Sequence, residues 1–161
     1  MNQEFIVICL IEETCVVGWN SASCDEIALG GAKMNNYHTE KKVLVADDEP
    51  EIRRLIRRTV LYVCPKCQVR QASNGLQAKE KLMAWCPQLV ILDLHMPHIN
   101  GLELSQFIQE YRTLSHTKIL AVTGYPAPGI NEVMFDRGVS EFLLKPFDTN
   151  DLAASIRRLL V

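Results

Sequence analysis

Residues 89–93 read LVILD, four apolar residues followed by a carboxylate. Three other short apolar runs end in the same way at a polar residue: VLVADD at 43–48, KILAVT at 118–123 and EFLLK at 141–145. An apolar run of this length favours a strand that is buried on both faces, as in a parallel sheet. The polar residues that end these strands would then meet at one edge of the sheet, where ligand crevices form.

Helical patterns separate these strands along the chain. The first covers 50–63 and begins at Pro50, which suits the first turn of a helix. A short strand at 69–72 follows, and the remaining helices are expected after Gly75, after Gly101, between Ile130 and Arg137, and from Asp148 as N-cap. In the helix after Gly101, the residues predicted to face inward are Leu104, Phe107, Ile108 and Tyr111. The alternation predicts an α/β fold: a (βα)5 doubly wound, parallel five-stranded sheet of the flavodoxin-like type with a short N-terminal extension.

Residues 1–39 do not follow this alternation. They contain one apolar run at 5–11 and then an irregular stretch with several glycines. We therefore expect a domain at 40–161, preceded by an extension at 1–39 that is weakly ordered or is not native sequence, with Met34 as a second candidate start. The alternative is a genuine extension that adds an edge strand or docks a partner.

The composition of the 161-residue chain excludes several classes of protein. A net charge of −2 argues against direct nucleic-acid binding, and no stretch approaches the ~20 apolar residues of a membrane helix. The run at 5–11 is flanked by glutamates where a signal peptide would carry basic residues, so we expect a cytoplasmic protein. Its six cysteines are then expected to be reduced thiols. Cys64 and Cys67 have the spacing of a metal knuckle or a redox motif, which is the alternative.

The residues at the strand ends are chemically complementary. They are Asp47, Asp48, Asp93, Thr123 and Lys145. Carboxylates with one lysine and one hydroxyl suit a hard divalent cation that holds a phosphoryl group. Each residue also has an ordinary structural role, because an isolated aspartate after a strand is usually a turn or cap residue. It is the combination, in this order, that favours a phosphoryl site.

These motifs together resemble the receiver domain of two-component response regulators, over about residues 41–161. The resemblance implies that Asp93 is the phosphoacceptor and that Mg²⁺ is the cofactor. It further implies that Mg²⁺ is bound by Asp48, by Asp93, by the backbone carbonyl of His95, and by Asp47 through water.

The same resemblance assigns roles to the last two strand ends. Thr123 and Lys145 would stabilise the phosphoryl group, and the bond between Lys145 and Pro146 would be cis. Thr123 and Phe142 would form the conformational switch. The stretch from Pro126 to Pro128-Gly129 has little helical pattern, so we expect a mobile hinge near Pro126. The alternative role for Phe142 is that of a fixed core aromatic.

The implied function is a phosphorylation-dependent signalling switch rather than an enzyme, limited to phosphotransfer onto itself and autodephosphorylation. The implied partners are a sensor histidine kinase or a histidine phosphotransfer protein, and an unknown downstream protein target, with a phosphorylation-dependent dimer left open. One alternative is a receiver fragment of a larger hybrid kinase or transcriptional regulator. A distant alternative is an aspartyl-phosphate phosphatase, which typically needs an acid where this chain has His95.

Two local features depart from the commonest pattern of such domains. His95 and Tyr125 are large residues beside the phosphoryl pocket, and we hypothesise that they shield an acyl phosphate from water. The first helix also carries four arginines, at positions 53, 54, 57 and 58. They either form a solvated face or bind an acidic kinase or phosphotransfer domain.

Overall fold

The computed structural model describes residues 40–124 and 135–160. Within them, five strands form one parallel sheet in the order β2-β1-β3-β4-β5. The strands are β1 (Lys42–Ala46), β2 (Gln68–Ala72), β3 (Leu89–Asp93), β4 (Lys118–Thr123) and β5 (Glu141–Leu144). This confirms the predicted doubly wound parallel sheet.

Four α-helices lie between and after these strands in the described part of the chain. They are α1 (Pro50–Val63), α2 (Gly75–Trp85), α3 (Gly101–Glu110) and α4 (Thr149–Leu160), with a short 3-10 helix at Arg112–Leu114. None of the helices found in residues 40–124 and 135–160 combines the length and apolar character needed to cross a bilayer. The extension at 1–39, the hinge near Pro126 and most of the helix predicted between Ile130 and Arg137 lie outside the described residues.

The core consists of two layers, one on each face of the sheet. Successive strand residues point to opposite faces, so β3 sends Val90 and Leu92 to one layer and Leu89 and Ile91 to the other. Helices α2 and α3 cover the first layer, and α1 and α4 cover the second. Strands β1, β3 and β4 are therefore enclosed on both sides, as their uninterrupted apolar sequences predict.

Polar residues begin three of the helices. The side-chain oxygens of Asn74 and Asn100 accept hydrogen bonds from the backbone N–H groups of Gln77 and Glu103, at 2.9 and 2.8 Å. Asp148 directly precedes α4, where its carboxylate accepts from the N–H of Asn150 at 2.6 Å. These bonds satisfy N–H groups that have no partner within the helix, so each cap determines where its helix begins.

One predicted core position is wrong. Helix α3 ends at Glu110, and the next residue, Tyr111, lies 42% exposed with its ring 4.8 Å from that of Phe107. Leu104 and Ile108 are buried as predicted, and Phe107 is half-buried. The apolar spacing continues one residue beyond the helix, because spacing alone does not show where a helix ends.

The expectation that the cysteines are reduced thiols is also wrong for one pair. Cys64 and Cys67 are joined by a disulfide in the turn between α1 and β2. Cys86 is the free cysteine within the described residues, and it is exposed.

The order of the strands determines where a ligand crevice forms. From β1 the chain passes to β2 on one side and then to β3 on the other, so the connections diverge between β1 and β3. In such sheets the crevice lies beyond the carboxyl ends of the strands at that point. Asp47 follows β1 and Asp93 ends β3, which places both carboxylates at the crevice.

Candidate functional site

The ammonium group of Lys145 lies among three carboxylates. Its Nζ is 2.7 Å from Oδ2 of Asp93, 2.9 Å from Oδ2 of Asp47 and 3.1 Å from Oε1 of Glu49. Asp47 and Asp93 are almost completely buried, while the Glu49 side chain is exposed. Three negative charges face one positive charge, and the excess favours the binding of a further cation.

The two buried aspartates are held in the same way. One oxygen of each carboxylate binds Lys145, and the other accepts a backbone N–H from two residues further along the chain. For Asp47 that donor is Glu49, at 2.8 Å, and for Asp93 it is His95, at 2.9 Å. Because both oxygens have fixed partners, the two carboxylates are oriented by the strand ends themselves.

A close backbone approach supports the loop after Asp93. The N–H of Gly101 donates to the carbonyl of Leu94 at 3.1 Å. A Cβ atom at position 101 would lie 2.4 Å from the carbonyl oxygen of Asp93, which is far inside van der Waals contact. Only glycine therefore allows α3 to begin directly against the end of β3.

Lys145 is connected to the end of β4 through the backbone. Its N–H donates to the carbonyl of Thr123 at 2.7 Å, and Thr123 is fully buried. The bond between Lys145 and Pro146 is cis, as predicted. Thr123 and Lys145 therefore lie side by side at the edge where the carboxylates lie.

The charges of this cluster are shifted by burial and by each other. Burial raises the pKa of Asp47, Lys145 and the backbone N–H of Glu49 oppose the rise, and the charge of Asp93 adds to it. For Lys145 burial acts to lower the pKa, but the hydrogen bonds and charges of Asp93 and Asp47 outweigh it and raise the pKa. Both pKa values are raised, but for opposite reasons. For Asp47 the effect of burial outweighs that of its one cation, whereas for Lys145 the effect of the anionic partners outweighs that of burial. Lys145 is therefore charged at neutral pH.

The residues predicted as metal ligands are not all equivalent in the structure. One carboxylate oxygen each from Asp47, Glu49 and Asp93 lies within 4.8 Å of the others, and oxygen ligands of this kind suit a hard divalent cation. Asp48 is exposed and lines the adjoining cavity together with His95 and Gly124, but it is not part of that group. Its role as the direct ligand stays a prediction. Glu49 was not singled out by the sequence, although it directly follows the Asp47-Asp48 pair.

Arg53 has a role that the arginine pattern does not indicate. Its guanidinium donates to the backbone carbonyls of Asp47 and Asp48, at 2.6 and 3.0 Å. Arg53 thus supports the turn that carries the acidic pair. Arg54, Arg57 and Arg58 are exposed, and Arg54 pairs with Glu51.

The predicted switch aromatic is only partly enclosed. Phe142 on β5 is half-buried against the core and meets the exposed Phe135 edge-on, with the ring centroids 6.1 Å apart. Its role in switching stays a prediction. Tyr125, the second residue proposed to shield the pocket, lies outside the described residues.

Comparison with known proteins decides the family. The sequence profile of the response regulator receiver domain matches residues 43–157, most of the chain. The chain belongs to the response regulator receiver domain family. As a receiver domain it is the phosphoryl-accepting switch of two-component signalling, and such domains are signalling switches.

Individual relatives agree with this assignment. The chain is 28% identical over 131 residues to the sensor histidine kinase TmoS of Ectopseudomonas mendocina, covering 81% of this chain and 13% of that protein. It is also 28% identical over 125 residues to hybrid signal transduction histidine kinase D of Dictyostelium discoideum, covering 78% of this chain and 8% of that one. The chain thus spans a small part of the curated relatives that it matches.

Solved structures show the same receiver fold. The chemotaxis response regulator CheY4 of Vibrio cholerae is 26% identical, with a TM-score of 0.69, and the match covers 75% of this chain and 99% of that chain. The signal receiver domain of a DNA-binding response regulator from Colwellia psychrerythraea superposes with a TM-score of 0.71 at 21% identity, over 75% of this chain and 98% of that one. The second likeness concerns the fold alone.

Proposed function

We propose that Asp93 is the carboxylate that accepts the phosphoryl group, and that a phosphohistidine of a sensor histidine kinase or histidine phosphotransfer protein donates it. The observation that carries the proposal is the burial of Asp93 at the end of β3, with one oxygen 2.7 Å from the Lys145 ammonium. In the transfer, an Asp93 oxygen forms the new bond to phosphorus as the bond between phosphorus and the imidazole nitrogen breaks. The electron pair of that broken bond stays on the imidazole.

Each charged group has a defined task in this step. The incoming phosphoryl group carries negative charge towards a carboxylate, so the barrier contains a large electrostatic term. Lys145 would offset charge on a phosphoryl oxygen, and the Thr123 hydroxyl would donate a hydrogen bond to another. Mg²⁺, which we propose as the cofactor, would supply further charge neutralisation and alignment at the acidic group.

The ligands proposed for Mg²⁺ are Asp48, Asp93, the backbone carbonyl of His95, and Asp47 through water. The shared acidic cavity supports this set, since Asp48, Asp93 and His95 all line it. Glu49 is a further candidate because its carboxylate approaches those of Asp47 and Asp93.

We further propose that the phosphorylated domain signals by protein–protein contact, with Thr123 and Phe142 as the switch and with no action on an external substrate. Residues 1–39 would form a separate extension before the receiver domain at 40–161, and the proposed location is the cytoplasm. A specific observation favours a second candidate role: both curated relatives are much longer histidine kinases. The chain then corresponds to a receiver segment of a hybrid kinase.

The deciding experiment is the intact mass of the chain after incubation with acetyl phosphate, with and without Mg²⁺. The expected result is one phosphoryl group per chain, dependent on Mg²⁺, and absent from Asp93→Asn. Asp151→Asn is the matched control, because Asp151 is an exposed aspartate on α4. An adduct that persists in Asp93→Asn, or one that forms equally without Mg²⁺, would contradict the proposal.

The assignment of the metal ligands has a separate test. Binding of Mg²⁺ to the folded chain raises its melting temperature in proportion to the logarithm of the cation concentration. The increase should be lost in Asp48→Asn and reduced in Glu49→Gln. If Glu49→Gln alone abolishes it, the direct ligand is Glu49 and the predicted role of Asp48 is wrong.

A further inference from the structure

The disulfide between Cys64 and Cys67 joins two residues of unequal exposure. The Cys64 N–H donates to the Val60 carbonyl at 2.8 Å, and the Cys67 N–H donates to the Cys64 carbonyl at 3.0 Å, so the pair closes a tight turn. Cys67 is 6% exposed and belongs to the core layer beneath α1 and α4. Cys64 is only half-buried, so an attacking group would reach Cys64 first.

A cavity of about 470 Å³ opens beside Cys64. Its described lining consists of two cationic residues, two apolar residues and the cysteine: Lys41, Arg157, Val63, Leu160 and Cys64. No acidic residue is among the described residues that line it. A small molecule with both a thiol and negative charge would match this lining, because the two cations attract the charge towards the sulfur.

This location is separate from the phosphoacceptor site. Helix α1 starts directly after the acidic turn and has 14 residues, which at about 1.5 Å per residue separates its two ends by roughly 20 Å. Cys64 follows its last residue. The cavity therefore lies towards the opposite edge of the sheet from Asp93 and Lys145.

We propose that Cys64 and Cys67 form a thiol–disulfide exchange site for a small anionic thiol of the glutathione class. The thiolate attacks the Cys64 sulfur and forms a mixed disulfide. The bond between Cys64 and Cys67 breaks, its electron pair goes to the Cys67 sulfur, and that thiolate takes a proton from solvent. A second thiol then attacks the ligand sulfur of the mixed disulfide, releasing the ligand as its own disulfide and leaving two protein thiols. Two external thiols are oxidised for each protein disulfide reduced, and the reverse reaction re-forms it.

Accessibility determines which cysteine is attacked, and charge favours the approach of the thiol. Cys67, whose sulfur leaves, belongs to the apolar core layer, whereas Cys64, which is attacked, lines the cavity together with Lys41 and Arg157. Apolar burial makes Cys67 a slow leaving group, so access to Cys64 and the charge of the cavity carry the preference. Positive charge in the cavity favours the thiolate form of the incoming thiol, which is the reactive species in exchange. In a compartment kept reducing by small thiols, such a pair is an exchanging site rather than a permanent cross-link.

The test follows the reduction of the disulfide in the full chain by reduced glutathione and by neutral 2-mercaptoethanol, with site-resolved alkylation of each cysteine. Rates are normalised to the same reactions on the chain unfolded in urea, where the cavity is absent. The folded chain should prefer glutathione by roughly tenfold, because clustered charge raises encounter rates. The preference should shrink as salt rises.

Two sets of variants make the result specific. Lys41→Gln combined with Arg157→Gln should abolish the preference, whereas the charge-matched pair Lys118→Gln with Arg112→Gln should retain it. In Cys67→Ser, oxidised glutathione should form a mixed disulfide at Cys64, and in Cys64→Ser the buried Cys67 should react far more slowly. Asp93→Asn should exchange at the wild-type rate.

Three outcomes would overturn the proposal. The first is that both cysteines stay open to alkylation in excess oxidised glutathione. The second is a glutathione preference that is unchanged in the Lys41 and Arg157 double variant. The third is a mixed disulfide formed on Cys67 as readily as on Cys64.

Discussion

Strands β3 and β5 both contribute to the site, but they are packed very differently. Every residue of β3 is buried, including Asp93 at its end. Strand β5 is at the edge of the sheet, none of its residues is fully buried, and Leu144 is 43% exposed. Asp93, the proposed phosphoacceptor, thus lies on a fully packed strand, whereas Phe142 lies on a less buried one and Lys145 directly follows it. If Asp93 accepts the phosphoryl group as proposed, we expect β5 to rearrange more readily than β3.

The largest effect should come from truncating the same residue type in the two strands. On β3, Leu92→Ala removes a fully buried side chain and should lower the free energy of unfolding by about 2–5 kcal/mol. On β5, Leu143→Ala removes a half-buried side chain and should cost less than half as much. Urea unfolding of both variants measures this, and equal losses would show that β5 is as firmly packed as β3.

The next effect concerns the support of Asp93. Gly101→Ala places a Cβ 2.4 Å from the carbonyl oxygen of Asp93, so it should cost about 1–3 kcal/mol of stability and slow phosphorylation by acetyl phosphate. The matched control is Gly124→Ala, because a Cβ at position 124 meets nothing within 4 Å. The control should keep wild-type stability. A Gly101→Ala protein with normal stability and phosphorylation would show that the close approach is not needed.

The next prediction concerns Asp47, whose ionised carboxylate should lower the stability of the folded state because it is buried. Its pKa in the folded state is raised, chiefly by burial, so its ionised form costs stability. The protonated form is favoured by folding, and this advantage is fully present below the ordinary pKa and is lost as the pH rises through the raised one. Asp47→Asn should therefore have a higher free energy of unfolding than the wild type at neutral pH, by on the order of 1 kcal/mol, which thermal unfolding measures.

The pH dependence is the control for that variant. Well below the ordinary pKa of aspartate the carboxyl is protonated in both states, so the two proteins should converge in stability. Adding Mg²⁺ at neutral pH should stabilise the wild type more than Asp47→Asn. A variant that is less stable at neutral pH would mean that the bond to Lys145 outweighs the cost of burial.

The smallest effect should come from the polar contacts of β5. The carboxylate of Glu141 accepts from the Ser155 hydroxyl at 2.6 Å and pairs with Arg158. Burial acts to raise the pKa of Glu141, but the bonds from Arg158 and Ser155 lower it overall, so the stabilisation is present above the ordinary pKa and is lost as the pH falls through the lowered one. Glu141→Gln should cost about 0.2–1 kcal/mol, because the Arg158 side chain is mostly exposed to solvent.

The exposed pair of Glu51 and Arg54 on α1 provides the comparison for that change. Glu51→Gln should have almost no effect on thermal unfolding, since both side chains are mostly exposed. If both glutamine variants are neutral, the Glu141 contacts do not hold β5 to α4.

Most of the fold was predictable because its signals are local. The buried strands have continuous apolar sequences, and α1 was predicted with the observed bounds because Pro50 marks its start. The errors occurred where a residue's environment depends on distant parts of the chain. Tyr111 continues the helical spacing of α3, yet the chain turns away at Glu110 and leaves its ring exposed. We expected Cys64 and Cys67 to be thiols because a cytoplasmic compartment is reducing. The compartment does not determine the geometry of the turn that joins the two cysteines.

The sequence by itself determined which residues stand at the carboxyl edge of the sheet. Once an apolar run forms a strand of a parallel sheet, the residue that ends it must lie at that edge. The sequence alone therefore assigns Asp47, Asp93, Thr123 and Lys145 to this edge. Only the tertiary structure decided how they are arranged there. Three features depend on side-chain directions and on contacts between segments far apart in sequence. Asp47 is buried beside an exposed Asp48, Glu49 approaches Lys145, and Arg53 supports the acidic turn. Those directions are set by the packing of α1 and β5 against the central strands.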